Sequence, residues 1–486
     1  MIITALRNWR PAAGNLVEWH PTEDALHAAG AAGPDADPGT FLQDNHIRGI
    51  WARNRSATAH TAYLAVTTEV DGVLDTEAMS RALERFVCRH GGLRTWFTTD
   101  GATVTRSSIR PDEVAFQARN VGTTSGDAEF RDYALARLSA DALATSWPGF
   151  VLGAIARTAS FTLYYACDHA LSDGASQAMV LTELLDFYGN EAAGEALGPY
   201  TNAPTDGFPD YARAEYDLAR SFDLSSPEII DWVETFRHHG NSMPRFPLDL
   251  GLAPGTTAPM HGIEFDLLDD TGSAAFADVC RTAGGRYLAG VLAAVAVTDL
   301  EIAGRREYYG MTVVSTRGLG DFLLSQGWLC NFAPLSFVLD GCDSFTEVIA
   351  RANDAYDRAL RLARAPLSSV LTALLASGAD PQAVMTSPNM LSYMDFRRFP
   401  GVGSAPYERG MLFTGEGETA NASMWFNRDA HHLYLGCQSP STPFAQRQLG
   451  RYHAHLRRVF ATVAASGDYS ISATTDREVA VARHHG

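Results

Sequence analysis

Residues 161–188 constrain the fold of this chain most, because a strand-like run passes into a helix-like run within a few residues. Residues 161–167 are apolar and β-rich, and the residues after position 174 place Val180, Leu184 and Phe187 on one helical face. The intervening residues 168–174 read Asp-His-Ala-Leu-Ser-Asp-Gly, in which the Asp-Gly pair indicates a turn. The sequence therefore predicts a strand that ends at a histidine, and a helix that begins after the turn.

His169 has the properties of a general base in this position. A side chain at the end of a strand is held rigidly and can face a cleft, and an imidazole with its ordinary pKa of about 6.5 is mostly neutral at pH 7. Two plainer interpretations compete with this one. The chain has 15 histidines, most of which must be surface or core residues, and Asp-Gly is also an ordinary turn.

The composition excludes several classes of chemistry. All 38 basic residues are arginine, so a Schiff-base lysine, a pyridoxal-phosphate lysine and a Walker-type phosphate loop are excluded. The net charge of −18 disfavours binding to nucleic acid and to anionic membranes. An anionic ligand such as a coenzyme A thioester therefore requires a local arginine cluster.

Neither a disulfide framework nor a metal site is predicted. The six cysteines are scattered and form no CxxC motif. The pairs His238-His239 and His431-His432 are discounted as metal ligands, because adjacent residues point to opposite faces of a strand and no acidic partner has ligand spacing. The longest apolar runs are too short for a membrane span, and the N-terminus lacks the order of a signal peptide. We therefore expect a cytoplasmic protein.

The order of predicted elements indicates two α+β halves. Residues 1–60 are expected to be irregular, since prolines at positions 11, 21, 34 and 38 interrupt any long element. The following elements mix strands and helices without regular βαβ alternation, which favours α+β layering. A Pro/Gly/Asp-rich stretch at 198–210 predicts a linker, after which the element order resembles the first half. We therefore predict lobes at residues 1–205 and 206–486.

The segment His169 to Gly174 has the pattern HxxxDG, and it resembles the HHxxxDG active-site motif of the condensation-domain and chloramphenicol-acetyltransferase-like acyltransferases. Asp168 replaces the first histidine of that motif. Further segments resemble family motifs in the expected order, at 89–97 (RHGGLRTWF), 208–212 (FPDYA), 313–317 (VVSTR) and 327–335 (GWLCNFAPL). The resemblance covers roughly residues 60–465. It is greatest to the polyketide-associated acyltransferases, including those that acylate trehalose, and to free-standing condensation enzymes.

The resemblance implies a fold of two chloramphenicol-acetyltransferase-like lobes arranged as a V, with the histidine in the tunnel between them. It implies that His169 is the general base and that Asp173 forms a salt bridge with Arg317. Gly174 is expected to allow the turn and to direct its N–H towards the developing oxyanion. Cys167 is expected to be a core residue, because the family does not use it as a nucleophile.

Each of the other candidate residues near the motif has two possible roles. Asp168 either orients His169 or forms a salt bridge elsewhere, and Ser176 either binds substrate or is an ordinary serine in the first turn of a helix. Trp328 and Asn331 are candidate tunnel residues, with core packing as the alternative.

Three functions follow from the resemblance. The leading one is transfer of an acyl group from a coenzyme A or carrier-protein thioester to an alcohol, which forms an ester without any cofactor. The first alternative is a condensation enzyme that forms an amide from an amine acceptor. The second alternative is a non-catalytic module that recruits partners, which the retained His169 and Asp173 disfavour. The same base serves ester and amide formation, so the residues leave the acceptor, the acyl chain and the donor carrier open.

Overall fold

Helices and strands mix along the chain without regular alternation, as the sequence predicts. A computed structural model describes residues 1–54, 60–125, 127–205, 207–415 and 417–472. The strands in these ranges are β1 (Ile2–Thr4), β2 (Gly14–Pro21), β3 (Tyr63–Asp71), β4 (Thr95–Thr99), β5 (Val104–Ser108), β6 (Phe116–Thr124), β7 (Phe150–Ala156), β8 (Ser160–Asp168), β9 (Ala258–Asp269), β10 (Glu307–Ser315), β11 (Cys330–Val338), β12 (Met390–Asp395), β13 (Met411–Thr414), β14 (Glu418–Thr419), β15 (Ser423–Arg428) and β16 (His432–Pro440).

Helices separate most of these strands and pack against them. They are α1 (Glu23–Ala31), α2 (Phe41–Asn54), α3 (Thr76–Arg89), α4 (Asp127–Asp141), α5 (Gly174–Ala193), α6 (Pro199–Asn202), α7 (Phe208–Ala219), α8 (Pro227–His238), α9 (Asp270–Thr282), α10 (Tyr287–Ala303), α11 (Phe345–Leu362), α12 (Leu367–Ala376), α13 (Pro381–Met385), α14 (Ala405–Glu408) and α15 (Pro443–Ser466). A single 3₁₀ turn, His169–Leu171, lies between β8 and α5.

Two seven-stranded sheets organise these elements. The first has the order β1-β13-β3-β8-β7-β2-β6, and the second has the order β11-β10-β12-β15-β16-β9-β14. Neighbours in the first sheet pair antiparallel apart from β1 and β13, whereas the second sheet contains the parallel pairs β10–β12 and β12–β15. Mixed sheets with helices packed on them confirm the predicted α+β class.

The chain forms two compact units, and neither is one continuous segment. The first contains Met1–Leu218, Ser315–Cys330 and Arg398–Glu416, and the second contains the remaining segments. The predicted division at residue 205 treats each lobe as continuous. The second predicted lobe begins at residue 206, which lies outside the described residues. The chain returns to the first unit because β13 pairs with β1 and β3 in that unit's sheet, a pairing between residues that are far apart in sequence.

The expectation of an irregular N-terminal region is wrong. Residues 14–21 form β2, a strand with neighbours on both sides, and residues 41–54 form α2. Pro11 precedes β2 and Pro21 is its last residue, so these prolines flank the strand instead of interrupting it. Proline is tolerated at the end of a strand, where a missing N–H costs little.

The second unit has an apolar core around α10. Residues Leu288 to Val297 of this helix are all buried, which matches its apolar sequence on every face. Among the described residues no single helix is long and apolar enough to cross a membrane. Only α11 and α12 taken together, with a bend of 93° between them, reach that length and apolarity.

Strand β8 carries the predicted motif into the interior of the first unit. It pairs with β3 on one side and β7 on the other, so Cys167 lies opposite both Leu64 and Phe150. A central strand with two hydrogen-bonded neighbours holds its last residues firmly. The chain then turns at His169–Leu171 and enters α5, as the sequence predicts.

Candidate active site

Two carboxylates cap the two short segments of the motif loop. Asp168 accepts a hydrogen bond from the Ala170 N–H at 2.8 Å and caps the 3₁₀ turn that begins with His169. Asp173 accepts from the Ser176 N–H at 2.7 Å and caps α5. Aspartate is a preferred residue at both positions, because its side chain satisfies N–H groups that lack a partner within the helix. His169 therefore lies between two fixed turns.

The predicted ion pair between Asp173 and Arg317 is present. Arg317 Nη2 donates to Asp173 Oδ1 at 2.8 Å, and both residues are buried. The other oxygen, Asp173 Oδ2, accepts from the Leu329 N–H at 2.9 Å. The pair thus joins the motif loop to residues 315–330, which are remote in sequence but belong to the same unit.

Ser176 belongs to this internal network. Its hydroxyl donates to the Gly327 carbonyl at 2.9 Å and accepts from the Gly327 N–H at 3.1 Å and from Arg317 Nη2 at 2.7 Å. Ser176 is fully buried. A hydroxyl with one donor and two acceptor sites has no capacity left after these three bonds. Its candidate role in substrate binding is therefore replaced by a structural one.

The other motif segments of the first unit pack around the same loop. His90, from the RHGGLRTWF segment, lies 2.8 Å from Glu183 of α5 and accepts from the Gln326 N–H at 3.4 Å. Phe208, from the FPDYA segment, leaves space only for a glycine at 327, where an added Cβ would lie 1.9 Å from its ring. These contacts bring three of the motif segments together around the loop that carries His169.

His169 is half-buried, and its ring packs against Trp328 with centroids 4.1 Å apart. Its Nδ1 is buried and receives no hydrogen bond from another described residue, and its backbone N–H donates to the Ala62 carbonyl at 2.9 Å. Burial lowers the pKa of His169, and the electrostatic interaction with His46 lowers it further. The imidazole is therefore neutral at pH 7 and able to accept a proton.

The side-chain partner of Asp168 is His46 of α2. Its Oδ1 accepts from His46 Nε2 at 2.7 Å, and its Oδ2 accepts from the Ala144 N–H at 2.9 Å and lies 3.4 Å from His60 Nε2. Burial alone would raise the pKa of Asp168, but the hydrogen bond from His46 and the electrostatic interactions with His46 and His60 lower it overall. The carboxylate is therefore ionised.

Cys167 is fully buried, and its sulfur accepts from Gln177 Nε2 at 3.2 Å. Burial raises the pKa of the Cys167 thiol to about 12. Because the thiolate is the reactive form of cysteine, this environment disfavours a nucleophilic role and agrees with the core position expected for this residue.

Trp328 and Asn331 differ in their surroundings. Trp328 contacts the rings of His169 and His46, so it lies directly beside the candidate base. Asn331 is a residue of the second unit, where its amide N–H groups donate to the carbonyls of Ala363 and Ala365, each at 2.8 Å. Asn331 is buried and structural, so its candidate place in a substrate tunnel is not supported.

The structure contradicts both reasons for discounting His238 and His239 as metal ligands. They end α8 instead of lying in a strand, and the fold brings Glu307 of β10 next to both. His238 Nε2 lies 3.0 Å from Glu307 Oε2, while Ser336 hydrogen-bonds both Glu307 and His239. These groups satisfy one another's hydrogen bonds. The acidic partner lies 69 residues from His238, so sequence spacing cannot reveal it.

Sequence reasoning missed Gln43, His46 and His60, all within the region expected to be irregular. A capping box marks the start of α2, since Gln43 N–H donates to Thr40 Oγ1 at 3.3 Å and the Thr40 N–H donates to Gln43 Oε1 at 3.1 Å. This Thr-x-x-Gln pattern is readable in the sequence and would have predicted the helix.

Comparison with known proteins identifies the family. Residues 42–387 match the family model described as Condensation domain. The chain therefore belongs to the condensation-domain family, as its motifs suggest. Among solved structures it is similar to "PapA2 acyl transferase", with a TM-score of 0.83 and 22% identity over 96% of this chain and 100% of that chain. The first condensation domain of the CDA synthetase has a TM-score of 0.68 and 17% identity, over 90% of this chain and 97% of that chain.

The named relatives define the activity class. The chain is 28% identical to 2'-acyl-2-O-sulfo-trehalose (hydroxy)phthioceranyltransferase PapA1 of Mycobacterium tuberculosis, over 96% of this chain and 89% of the relative. It is 26% identical to acyltransferase PapA3 of the same organism, over 96% of this chain and 98% of the relative. The protein is an acyltransferase.

Proposed function

We propose that this acyltransferase moves an acyl group from a coenzyme A or carrier-protein thioester directly to a hydroxyl acceptor, with His169 as the general base. The observation that supports this most is a half-buried imidazole, with a pKa that burial lowers, at the end of a central strand in a loop held by the Asp173–Arg317 pair. A base needs a free lone pair and a fixed position, and the contacts of the loop support the fixed position.

The chemistry follows from the neutral imidazole. With the ring proton on the buried Nδ1, Nε2 accepts the acceptor's hydroxyl proton as the oxygen attacks the thioester carbonyl carbon. The tetrahedral intermediate carries a negative oxygen, for which the Gly174 N–H is the proposed donor. Collapse breaks the carbon–sulfur bond, and the departing thiolate takes the proton back from His169. The products are an ester and a thiol, with no metal or cofactor consumed.

The acceptor class is inferred from the relatives. The names of PapA1 and of trehalose-2-sulfate acyltransferase PapA2, which is 25% identical to this chain, state sulfated trehalose derivatives. These names support a hydroxyl on a carbohydrate and a place in lipid or other natural-product biosynthesis. The experiment below distinguishes this proposal from two alternatives, transfer to an amine and a non-catalytic role in recruiting partners.

Direct transfer is proposed instead of an acyl-enzyme. A thioester is already activated, and the Cys167 thiol is buried with a pKa near 12. Donor and acceptor therefore have to be bound together at His169. Cys167→Ser should keep most of the activity, and incubation with donor alone should add no acyl mass to the protein. Ping-pong kinetics, or an intact-mass increase that disappears in Cys167→Ser, would contradict direct transfer.

The decisive experiment incubates the purified protein with a panel of acyl-coenzyme A and acyl-carrier thioesters. The acceptors are trehalose, other sugars and amines, and the products are identified by mass spectrometry. We expect an ester of a sugar hydroxyl. His169→Ala should fold normally and lose at least about 10²-fold in kcat, the lower end of what a general base contributes.

His431→Ala is the matched control, because His431 is an exposed histidine in the second unit. It should retain full activity. Amide products would favour the condensation-enzyme alternative, and a folded His169→Ala variant with near-normal kcat would exclude His169 as the base. Binding of a carrier protein without any product, across the whole panel, would favour the recruiting module.

A further inference from the structure

Helix α2 contacts the motif loop through two side chains on consecutive turns. Gln43 Nε2 donates to the Ala170 carbonyl at 2.8 Å, and His46 Nε2 donates to Asp168 Oδ1 at 2.7 Å. Residues three positions apart lie on the same face of a helix, so both reach the loop together. The capping box at Thr40 fixes where this helix begins. The position of α2 and the position of the loop are thus linked.

Asp168 is the centre of this contact. The carboxylate has no exposed surface, and it accepts from two backbone N–H groups, of Ala170 and Ala144, as well as from His46. His60 Nε2 lies 3.4 Å from its second oxygen. A buried carboxylate is strongly destabilised when a partner is removed, because its charge is left without compensation. Each of these contacts therefore restrains the peptide that leads into His169.

His46 also contacts Trp328, whose ring packs against His169. Its ring meets the Trp328 ring edge to face, with centroids 5.8 Å apart and an interplanar angle of 84°. Trp328 in turn packs against His169 at 4.1 Å. The same imidazole therefore supports His169 through the backbone that precedes it and through the ring that covers it.

We propose that His46 is a positioning residue for His169, acting through Asp168 and Trp328. In this chain the first histidine of the family motif is replaced by an aspartate, and a histidine from α2 is its partner. The inference rests on the proposed role of His169 as the base. A purely structural hydrogen bond is the alternative, and it predicts a loss of stability with wild-type kcat in folded His46→Ala.

The titration of His169 gives a second readout of the contact between His46 and the motif loop. His46 lowers the pKa of His169, whereas Asp168 and Asp173 raise it, and burial has the largest effect. Removing the His46 imidazole while both carboxylates remain should therefore raise the pKa of His169. This titration can be followed by NMR of imidazole-labelled protein, with His169→Ala assigning the signal, and it needs no substrate.

The variants are His46→Ala and His46→Gln. Alanine removes the imidazole and its hydrogen bond to Asp168, and kcat should fall at least about tenfold, because a misplacement of 1 Å can cost about 10²-fold. Glutamine can donate to Asp168 from a similar position without a charge, so it should recover most of kcat. KM should change little in either variant. The pKa of His169 should rise in both.

Arg48→Ala is the matched control, since Arg48 lies on the same helix and donates to the Ala102 carbonyl. It should change neither kcat nor the titration. The inference is overturned if folded His46→Gln and His46→Ala keep the wild-type titration of His169, or if His46→Ala keeps wild-type kcat. If His46→Ala does not fold, the glutamine variant alone decides through the titration. An active His169→Ala would instead refute the proposed base and leave the titration test intact.

Discussion

Replacing Arg317 with alanine should destabilise the first unit by about 3–5 kcal/mol, the usual cost of removing one partner of a buried ion pair. The guanidinium donates to Asp173 Oδ1 at 2.8 Å, to Ser176 Oγ at 2.7 Å and to the Ser325 carbonyl at 2.6 Å. Its side chain is only 6% exposed, so water cannot replace these bonds. In this variant Asp173 still accepts hydrogen bonds from the N–H groups of Ser176 and Leu329. The expected loss of stability is therefore near the lower end of this range, about 3 kcal/mol.

The free energy of unfolding is measured by urea denaturation. Two independent probes monitor the transition, because a chain with two units need not unfold in a single step. Arg281→Ala is the control, because Arg281 pairs with Asp278 at 2.9 Å, nearly the same distance, but both side chains are more than 70% exposed. An exposed pair contributes about 0–1 kcal/mol. Comparing the two variants therefore separates the effect of burial on stability from the effect of the distance between the paired atoms.

A double-mutant cycle tests the pairing itself. Asp173→Asn and Arg317→Ala should each reduce activity by a similar factor, and the double variant should be little worse than either. Fully additive losses would show that these residues are not partners. An Arg317→Ala variant no less stable than Arg281→Ala would refute the argument that burial makes this contact strong.

Three further predictions follow from the structure. Gly327→Ala should lower the unfolding temperature and the activity, because its Cβ would meet Phe208 at 1.9 Å and its φ is +157°, whereas Gly318→Ala, with open space around it, should do neither. Burial raises the pKa of Asp299 to about 7, so the free energy of unfolding should fall as the pH rises from the ordinary aspartate value to about 7, and Asp299→Asn should reduce this slope in urea titrations at several pH values. Acyl transfer should survive dialysis against a chelator, and activity that disappeared and returned with one divalent ion would contradict the metal-free mechanism.

The sequence located the motif loop well because the relevant signals are local. The switch from an apolar strand pattern to a helical face, with Asp-Gly between, corresponds to β8, the 3₁₀ turn and α5. Asp173 at the helix start is a cap that short-range chemistry requires. The predicted partner Arg317 came from the family pattern, since no local rule connects residues 144 positions apart.

The features that the sequence did not predict correctly share a different physical cause. Prolines at 11 and 21 suggested an irregular N-terminal region, yet they flank β2, whose pairing with β6 and β7 outweighs local preference. Ser176 was left open as a substrate ligand because a sequence does not show that three partners already occupy its hydroxyl. Glu307 was missed beside His238 for the same reason.

By itself the sequence determined the α+β class, the loop that carries His169, the buried state of Cys167 and the absence of any lysine-based chemistry. Only the tertiary structure decided which residues surround His169. It placed His46 against Asp168 and Trp328 against the imidazole, and it left Asn331 in the other unit. The reason is that capping and periodicity act over a few residues, whereas these contacts depend on how distant segments pack, which the local pattern does not specify.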